Sequence, residues 1–244
     1  AGRYESDELR AVLDVTPDIE NYTIGAYSKS KSTGVIPKIN KCYNTVACDQ
    51  MAREAPLGFW SVSNPLPDSQ SATEQWQIIN TTKWNVSDSL TIKNIFSYGE
   101  FRGTTNLDLF GLYQPLVTPG TETNGSQVRP FVFTHAAPFL HTNAESSLVE
   151  ELQFQGNLAD GKLTWQGGLY FESNKPLGPS GVQTATFTPC IDSTTLNCLP
   201  FSPTIAQPNP GSISLGRLNY QVTSTSFNGK AAYFQTSYDV TERL

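Results

Sequence analysis

The chain has 244 residues, a formal net charge of −6 and only 16% charged residues. That length suits one large domain or two small ones, and no segment approaches the roughly 20 apolar residues of a spanning helix. Eighteen glycines, sixteen prolines and a single methionine point to an all-β chain with long loops. An acidic chain without Lys/Arg clusters lacks the electrostatic footprint for nucleic acid, which is not among the expected partners.

Glu8–Thr16 alternates Leu9, Ala11, Leu13 and Val15 against Arg10, Val12 and Asp14. Pro17-Asp18 supplies a turn, and Asn21–Ser28 alternates Tyr22, Ile24 and Ala26 against Thr23, Gly25 and Tyr27. Period-two alternation across a short turn predicts a β-hairpin. A loop from Lys29 to Ala72 follows, carrying the first cysteine pair. Thr73–Val86 puts Trp76, Ile78, Asn80, Thr82 and Trp84 on one face and Gln75, Gln77, Ile79, Thr81 and Lys83 on the other. After Ser87-Asp88, Leu90, Ile92, Phe96 and Tyr98 line one face of a strand running to about Phe101.

A second long loop, Arg102 to Glu145, holds both histidines. The clearest hairpin comes next, Val149–Glu172, broken at Leu158–Lys162 around an Asp-Gly pair. Leu152, Phe154, Leu163, Trp165, Leu169 and Phe171 share its apolar face, and Glu151, Gln153, Gln155 and Gln166 its polar face. The third long loop runs from Ser173 to Ser226, and Gly229–Leu244 alternates Ala232, Phe234, Thr236 and Tyr238 against Tyr233, Gln235 and Ser237.

The order is strand, short turn, strand, long loop, three times over. In an up-and-down sheet, all short turns then lie at one end and all long loops at the other. Transmembrane barrels segregate their connections in this way, with short periplasmic turns and long extracellular loops. Trp76 and Trp84, eight positions apart on one face, are about 20 Å apart along the normal of a tilted barrel, close to the height of the apolar band between aromatic girdles. The expected fold is therefore an antiparallel up-and-down transmembrane β-barrel segment. Leu90, Ile92, Phe96, Phe234, Tyr238 and the apolar hairpin residues should face lipid. Lys83, Lys93, Gln153, Gln155, Gln166 and Gln235 should face the lumen.

Cys42/Cys48 and Cys190/Cys198 form two local pairs with neither zinc-knuckle spacing nor a nearby histidine. They predict two disulfides, each stapling a long loop, and an oxidising compartment. The opening AGRYESDELR lacks the apolar core of a signal peptide. Its absence fits either a removed leader or a start inside a longer protein. His135 and His141 flank APFL at a spacing that matches no metal-ligand pattern, and no H-E-x-x-H, G-x-S-x-G or P-loop occurs. No catalytic, metal or cofactor site is expected. Ligand binding by the loops is, with Tyr43, Phe59, Trp60, Tyr113, Arg129, Phe139 and His141 as the candidates.

EELQFQGNLADGKLTWQGGLYFE resembles the mid-barrel "ElrlsG…g.l.w.aGlyy" hairpin of TonB-dependent outer-membrane receptors. WNVSDSLTIKNIFSYGEFR resembles the hairpin before it in that family, AAYFQTSYDVTERL the one after it, and DVTPDIENYTIGAYSKSKSTG matches more loosely. The resemblance covers about half the chain, all of it strands. It implies a barrel of about 22 strands around a plug, located in the bacterial outer membrane and driven through a TonB complex. The expected function is uptake of a scarce small-molecule solute such as a ferric siderophore. No plug or TonB box is visible before Glu8 and no terminal aromatic strand after Leu244, so residues 1–244 are expected to be a middle segment of about seven strands. The alternative is a secreted β-sandwich module binding carbohydrate or another ligand. It requires the apolar faces to meet in a soluble core.

Overall fold

A computed structural model describes residues 3–43, 45–62, 66–115, 128–130, 132–158, 161–186, 190–192, 197–198 and 217–240. In chain order the elements are β1 (Arg3–Thr16), β2 (Ile19–Ser32), α1 (Thr45–Glu54) with a 3₁₀ turn at Ala55–Leu57, β3 (Gln70–Ser87) and β4 (Leu90–Asp108). Next come β5 (Tyr113–Pro115), β6 (Val128–Pro130), β7 (Val132–Ala136), β8 (Asn143–Leu158) and β9 (Leu163–Pro176). The chain continues with β10 (Ser180–Thr186), β11 (Cys190–Asp192), β12 (Asn197–Cys198), β13 (Arg217–Thr223) and β14 (Phe227–Tyr238).

Seven long strands pair antiparallel in chain order: β1, β2, β3, β4, β8, β9, β14. All seven strands expected from the alternation are present. They run further into the long connections than the pattern indicated. Ser28–Ser32, Gln70–Thr73 and Gly103–Asn106 are polar or small on both faces, so they carry no apolar contrast to read, yet their backbones still satisfy one another in the ladder. The expected unbroken loops likewise need correcting. Lys29–Ala72 contains α1, and the outer end of β4 pairs with β7, which continues through β10 to β13.

The short connections all fall at one end, at Pro17-Asp18, at Asp88-Ser89 and between Leu158 and Leu163, and the long connections fall at the other. The turns do not line up square to the strands. Ile19, beside the first turn, pairs with Trp84, three residues short of Ser87 at the second turn. Leu90, beside the second, pairs with Gly156, two residues short of Leu158 at the third. Each hairpin is thus displaced by two to three residues, or about 7–10 Å, for every two strands, about 10 Å, of sheet width. A common plane through the turns therefore leans the strands by about 35–45°, the tilt of a closing barrel. The sheet itself remains open, because β1 and β14 each have a long-strand neighbour on one side only among the described residues.

Direct pairing fixes the faces. Trp84, Ile92, Phe154, Gly167 and Phe234 lie in one row, and Ile78, Tyr98 and Leu148 lie in another on the same side. Lys83 pairs with Lys93, and Lys93 with Gln153, on the opposite side. Every residue assigned above to lipid or lumen falls on the face expected, but the alternation of β2 runs the other way: Thr23, Gly25 and Tyr27 share the face of Ile78 and Trp76, and Tyr22, Ile24 and Ala26 lie on the polar side. No second sheet covers either side among the described residues. Trp84 is 45% exposed, Leu169 57% and Phe234 69%. The buried apolar side chains, Leu66, Val132, Phe133 and Ala185 among them, gather instead around the outer connections.

Glycines let aromatic rings lie flat across the ladder. A Cβ on Gly156 would sit 2.6 Å from the Trp165 indole on the apolar face, and one on Gly168 2.6 Å from the Tyr233 ring on the polar face. Trp165 and Phe234 stack with centroids 6.3 Å apart. Gly156→Val should push the Trp165 ring off its seat and cost about 1–3 kcal/mol. A lowered unfolding midpoint with an unchanged number of strand amides would be the expected result.

Candidate functional site

The outer connections form the one packed cluster of the described residues, and polar side chains hold it together. Asp68, just before β3, receives a hydrogen bond from Asn106 Nδ2 at 3.0 Å and lies 2.5 Å from His135 Nε2. His135 Nδ1 is 2.6 Å from the Ala136 carbonyl, and the Ala136 N–H donates to Asn106 Oδ1 at 2.9 Å. Asn106 is 2% exposed, so all three elements close over it. Ser69 Oγ donates to the Thr33 carbonyl at 2.9 Å. The clasp ties the first long connection to the outer end of β4 and to β7.

A second tie runs through α1. Its buried Ala47, Gln50 and Glu54 recur at helical spacing on the inner face. Gln50 Nε2 donates to Glu54 Oε1 at 3.0 Å and to the Gly111 carbonyl at 2.6 Å. Gly111 has φ +65°, and a Cβ there would meet the Pro37 carbonyl oxygen at 2.4 Å, so glycine is required. Cys42 and Cys48 are bridged across the start of α1, with Cα atoms 5.1 Å apart, as expected. Closing so short a loop contributes about 2 kcal/mol in the chain-entropy description. The backbones of Cys190 and Cys198 stand opposite one another in the β11–β12 ladder, but their side chains lie outside the described residues.

The candidate ligand residues separate into three groups. Phe59 and Trp60 form an edge-to-face pair, centroids 4.8 Å apart, and Trp60 is 92% exposed. Lys38 holds the turn that presents them, donating from Nζ to the carbonyls of Gly58 (2.7 Å), Phe59 (3.1 Å) and Ser61 (2.8 Å). Tyr43 lies under Lys41 Nζ, 5.1 Å from the ring centroid, and lines a hollow of about 350 Å³ with Lys38, Phe110 and Leu112. Phe139 is fully exposed at φ +64°, while His141 Nδ1 pairs with Thr104 Oγ1 at 3.0 Å. Tyr113 and Arg129 are placed by their backbones in the β5–β6 ladder, and their side chains lie outside the described residues. Lys38, Asp68 and Asn106 were missed in the sequence. Lone polar residues in long loops carry no periodicity, and only their distant partners give them a role.

Below this cluster the sheet is hollowed on its polar face. A recess of about 420 Å³ is lined by Tyr4, Glu8, Gln75, Gln77, Phe101 and Glu145, all on that face. Tyr233 reaches from β14 across Gly168 to donate to Glu151 Oε1 on β8 at 2.7 Å. Side chains two strands apart meet in this way on the concave side of a curved sheet.

Asp108, at the outer tip of β4, accepts the Phe110 N–H at 3.2 Å, and its carboxyl is pushed up by burial. A raised carboxyl favours the folded state below the ordinary aspartate range, and that contribution is lost as pH rises through the folded value. Amide exchange at Phe110 should accordingly be slower at about pH 4 than at pH 7 after correction for intrinsic rates. Asp108→Asn should flatten that difference. Asn106→Ala strands the Ala136 N–H, at about 1–3 kcal/mol, and leaves Asp68 Oδ2 with His135 as its remaining partner. Exchange should quicken at Ala136 and stay unchanged in the β8–β9 ladder, and uniform protection across both would contradict the clasp.

No protein-family model matches this chain, and no curated protein matches it. Among solved structures, one described as "Structure of the RagAB peptide transporter" aligns over 98% of the chain at 10% identity with a TM-score of 0.45. The chain spans 26% of that structure's matched chain.

Proposed function

We propose that the seven long strands are one arc of an outer-membrane β-barrel, a TonB-dependent receptor-transporter that takes up a scarce small-molecule solute such as a ferric siderophore. The observation that carries this reading is an uncovered aromatic and aliphatic face on a sheet whose other, polar face is concave. In water such a face would need a covering layer, and a secreted sandwich would supply one. A barrel supplies lipid outside and an aqueous lumen inside.

The margins of the apolar face support the same reading. Trp84, Trp165 and Tyr238 stand near the short turns. At the other margin Trp76 and Tyr98 are in contact, ring centroids 5.5 Å apart, and both donate to Glu100. Just beyond come the ion pairs Arg102–Glu100 and Lys29–Glu74. Aromatic rings with one polar end, followed at once by charge, mark the two levels of a membrane interface. Asn21, Thr23, Asn80 and Thr82 between the margins satisfy one another through hydrogen bonds of 2.7–3.4 Å, which lowers the cost of facing lipid.

In this reading the tied outer connections form the vestibule above the lumen, with Phe59, Trp60 and Tyr43 the aromatic contacts for the solute. No catalytic role is assigned. The remaining partners are a plug within the lumen and, through it, the TonB complex. Tryptophan fluorescence of the full-length receptor in vesicles of brominated phospholipid tests the arrangement, with Trp60→Phe removing the loop signal. Trp76, Trp84 and Trp165 should be quenched strongly, and recovery of the receptor in the soluble fraction would refute the membrane reading. Replacing the segment Pro37–Ser61 by a short linker should impair uptake while leaving the barrel in the membrane.

A further inference from the structure

Both ring nitrogens of His135 face acceptors. Nδ1 lies 2.6 Å from the Ala136 carbonyl oxygen, and Nε2 lies 2.5 Å from Asp68 Oδ2. A carbonyl oxygen cannot donate, so Nδ1 carries a proton. A second proton has to lie between Nε2 and Oδ2, because two lone pairs do not meet at hydrogen-bond distance. The count is the same whether imidazolium faces carboxylate or neutral imidazole faces carboxylic acid. The closed pair therefore holds one proton more than a neutral imidazole beside a carboxylate.

The surroundings offer that proton no substitute. The His135 side chain is 12% exposed, and Asp68 Oδ1 is buried with no hydrogen-bond partner. A bare carboxylate is costly in such a place. Asn106 Nδ2 is the other donor to Oδ2, at 3.0 Å. Asp108 is the second carboxyl on this side, two residues beyond Asn106 and opposite Phe133. From β10 the neutral Gln183 stands opposite His135, with Tyr220 of β13 opposite Gln183. Further down β4, His141 bonds to Thr104 and Arg102 pairs with Glu100.

We propose that Asp68 and His135 form a proton-operated latch on the outer connections, closed while the shared proton is held and released as rising pH removes it. Release frees Asp68, and the first long connection, which carries Phe59 and Trp60, loses its tie to β7. The sign follows from counting protons in the two states. A free imidazole holds its second proton below about pH 6.5 and loses it above. Below that value the open and closed pairs hold the same number, and closing is indifferent to pH. Above it closing takes up one proton, so the closed-to-open ratio falls about tenfold per pH unit. The latch belongs to the outer cluster and does not depend on what covers the long strands.

Amide exchange in the full-length protein, in whichever fraction it is recovered, tests the latch. After correction for intrinsic rates, protection at Ser69 and Ala136 should be level from about pH 5.5 to 6.5 and then fall about tenfold per unit to pH 8.5. The β8–β9 ladder should stay level throughout and so report an intact fold. Asp68→Asn is the decisive variant. Its amide can donate to a neutral Nε2 without any added proton, so the latch should stay closed and the slope should vanish with protection retained at pH 8.5. Asp68→Ala should instead lower protection at every pH. Asp108→Asn should leave the slope as it is. Level protection across the whole range in the unaltered protein overturns the latch, and that measurement needs no variant to fold. An unchanged slope in Asp68→Asn, or a slope abolished by Asp108→Asn, also overturns it.

Discussion

Backbone pairing without a core is the condition on which the rest of the structure depends. The long strands satisfy their N–H and C=O groups from neighbour to neighbour over twelve to nineteen residues each. Ladder hydrogen bonds alone yield little net stability in water, because the unfolded chain bonds to water equally well. The apolar face has to be removed from water for the sheet to persist, and no protein layer does so among the described residues. Everything specific about the apolar face follows from that demand: the glycine seats that let Trp165 and Phe234 lie down, the mutual pairing of Asn21 with Asn80, and the abrupt change to charge beyond Trp76.

The outer cluster obeys the opposite rule. Its stabilisation comes from an interior of its own, with Leu66, Val132 and Phe133 buried and Asn106 satisfied among them. Connections tens of residues long are entropically costly to hold in one arrangement. The Asp68–His135–Asn106 clasp, the Gln50 tie and the Cys42–Cys48 bridge each remove part of that freedom. What they leave exposed is a small set of aromatic side chains. Phe59 and Trp60 are held up by a lysine whose three donors all go to backbone carbonyls, so the turn is rigid while its tip faces outward.

The sheet was legible in the sequence because alternation is a local signal, and Val149–Glu172 carries it on both sides of its Asp-Gly turn, through Leu152, Phe154 and Leu158 before it and Leu163, Trp165, Leu169 and Phe171 after it. Even the face of each tryptophan could be read. The strand ends could not, because a run such as Ser28–Ser32 looks the same from both sides. The helix at Thr45–Glu54 hid for a related reason: three inward positions in ten residues, two of them polar, make no apolar stripe. The clasp was invisible because Asp68 and His135 are 67 positions apart, and nothing near either one indicates the other.

The uniform stagger of the turns makes the sheet a screw. Each hairpin is carried into the next by a step of two strands sideways and two to three residues along the chain. Gain or loss of a whole hairpin repeats that operation and leaves every remaining side chain on its original side. Gain or loss of a single strand breaks it, reversing chain direction and exchanging inside for outside in all that follows. The hairpin is therefore the smallest unit by which such a sheet can grow or shrink, and the long connections between hairpins can diverge freely because the screw does not pass through them.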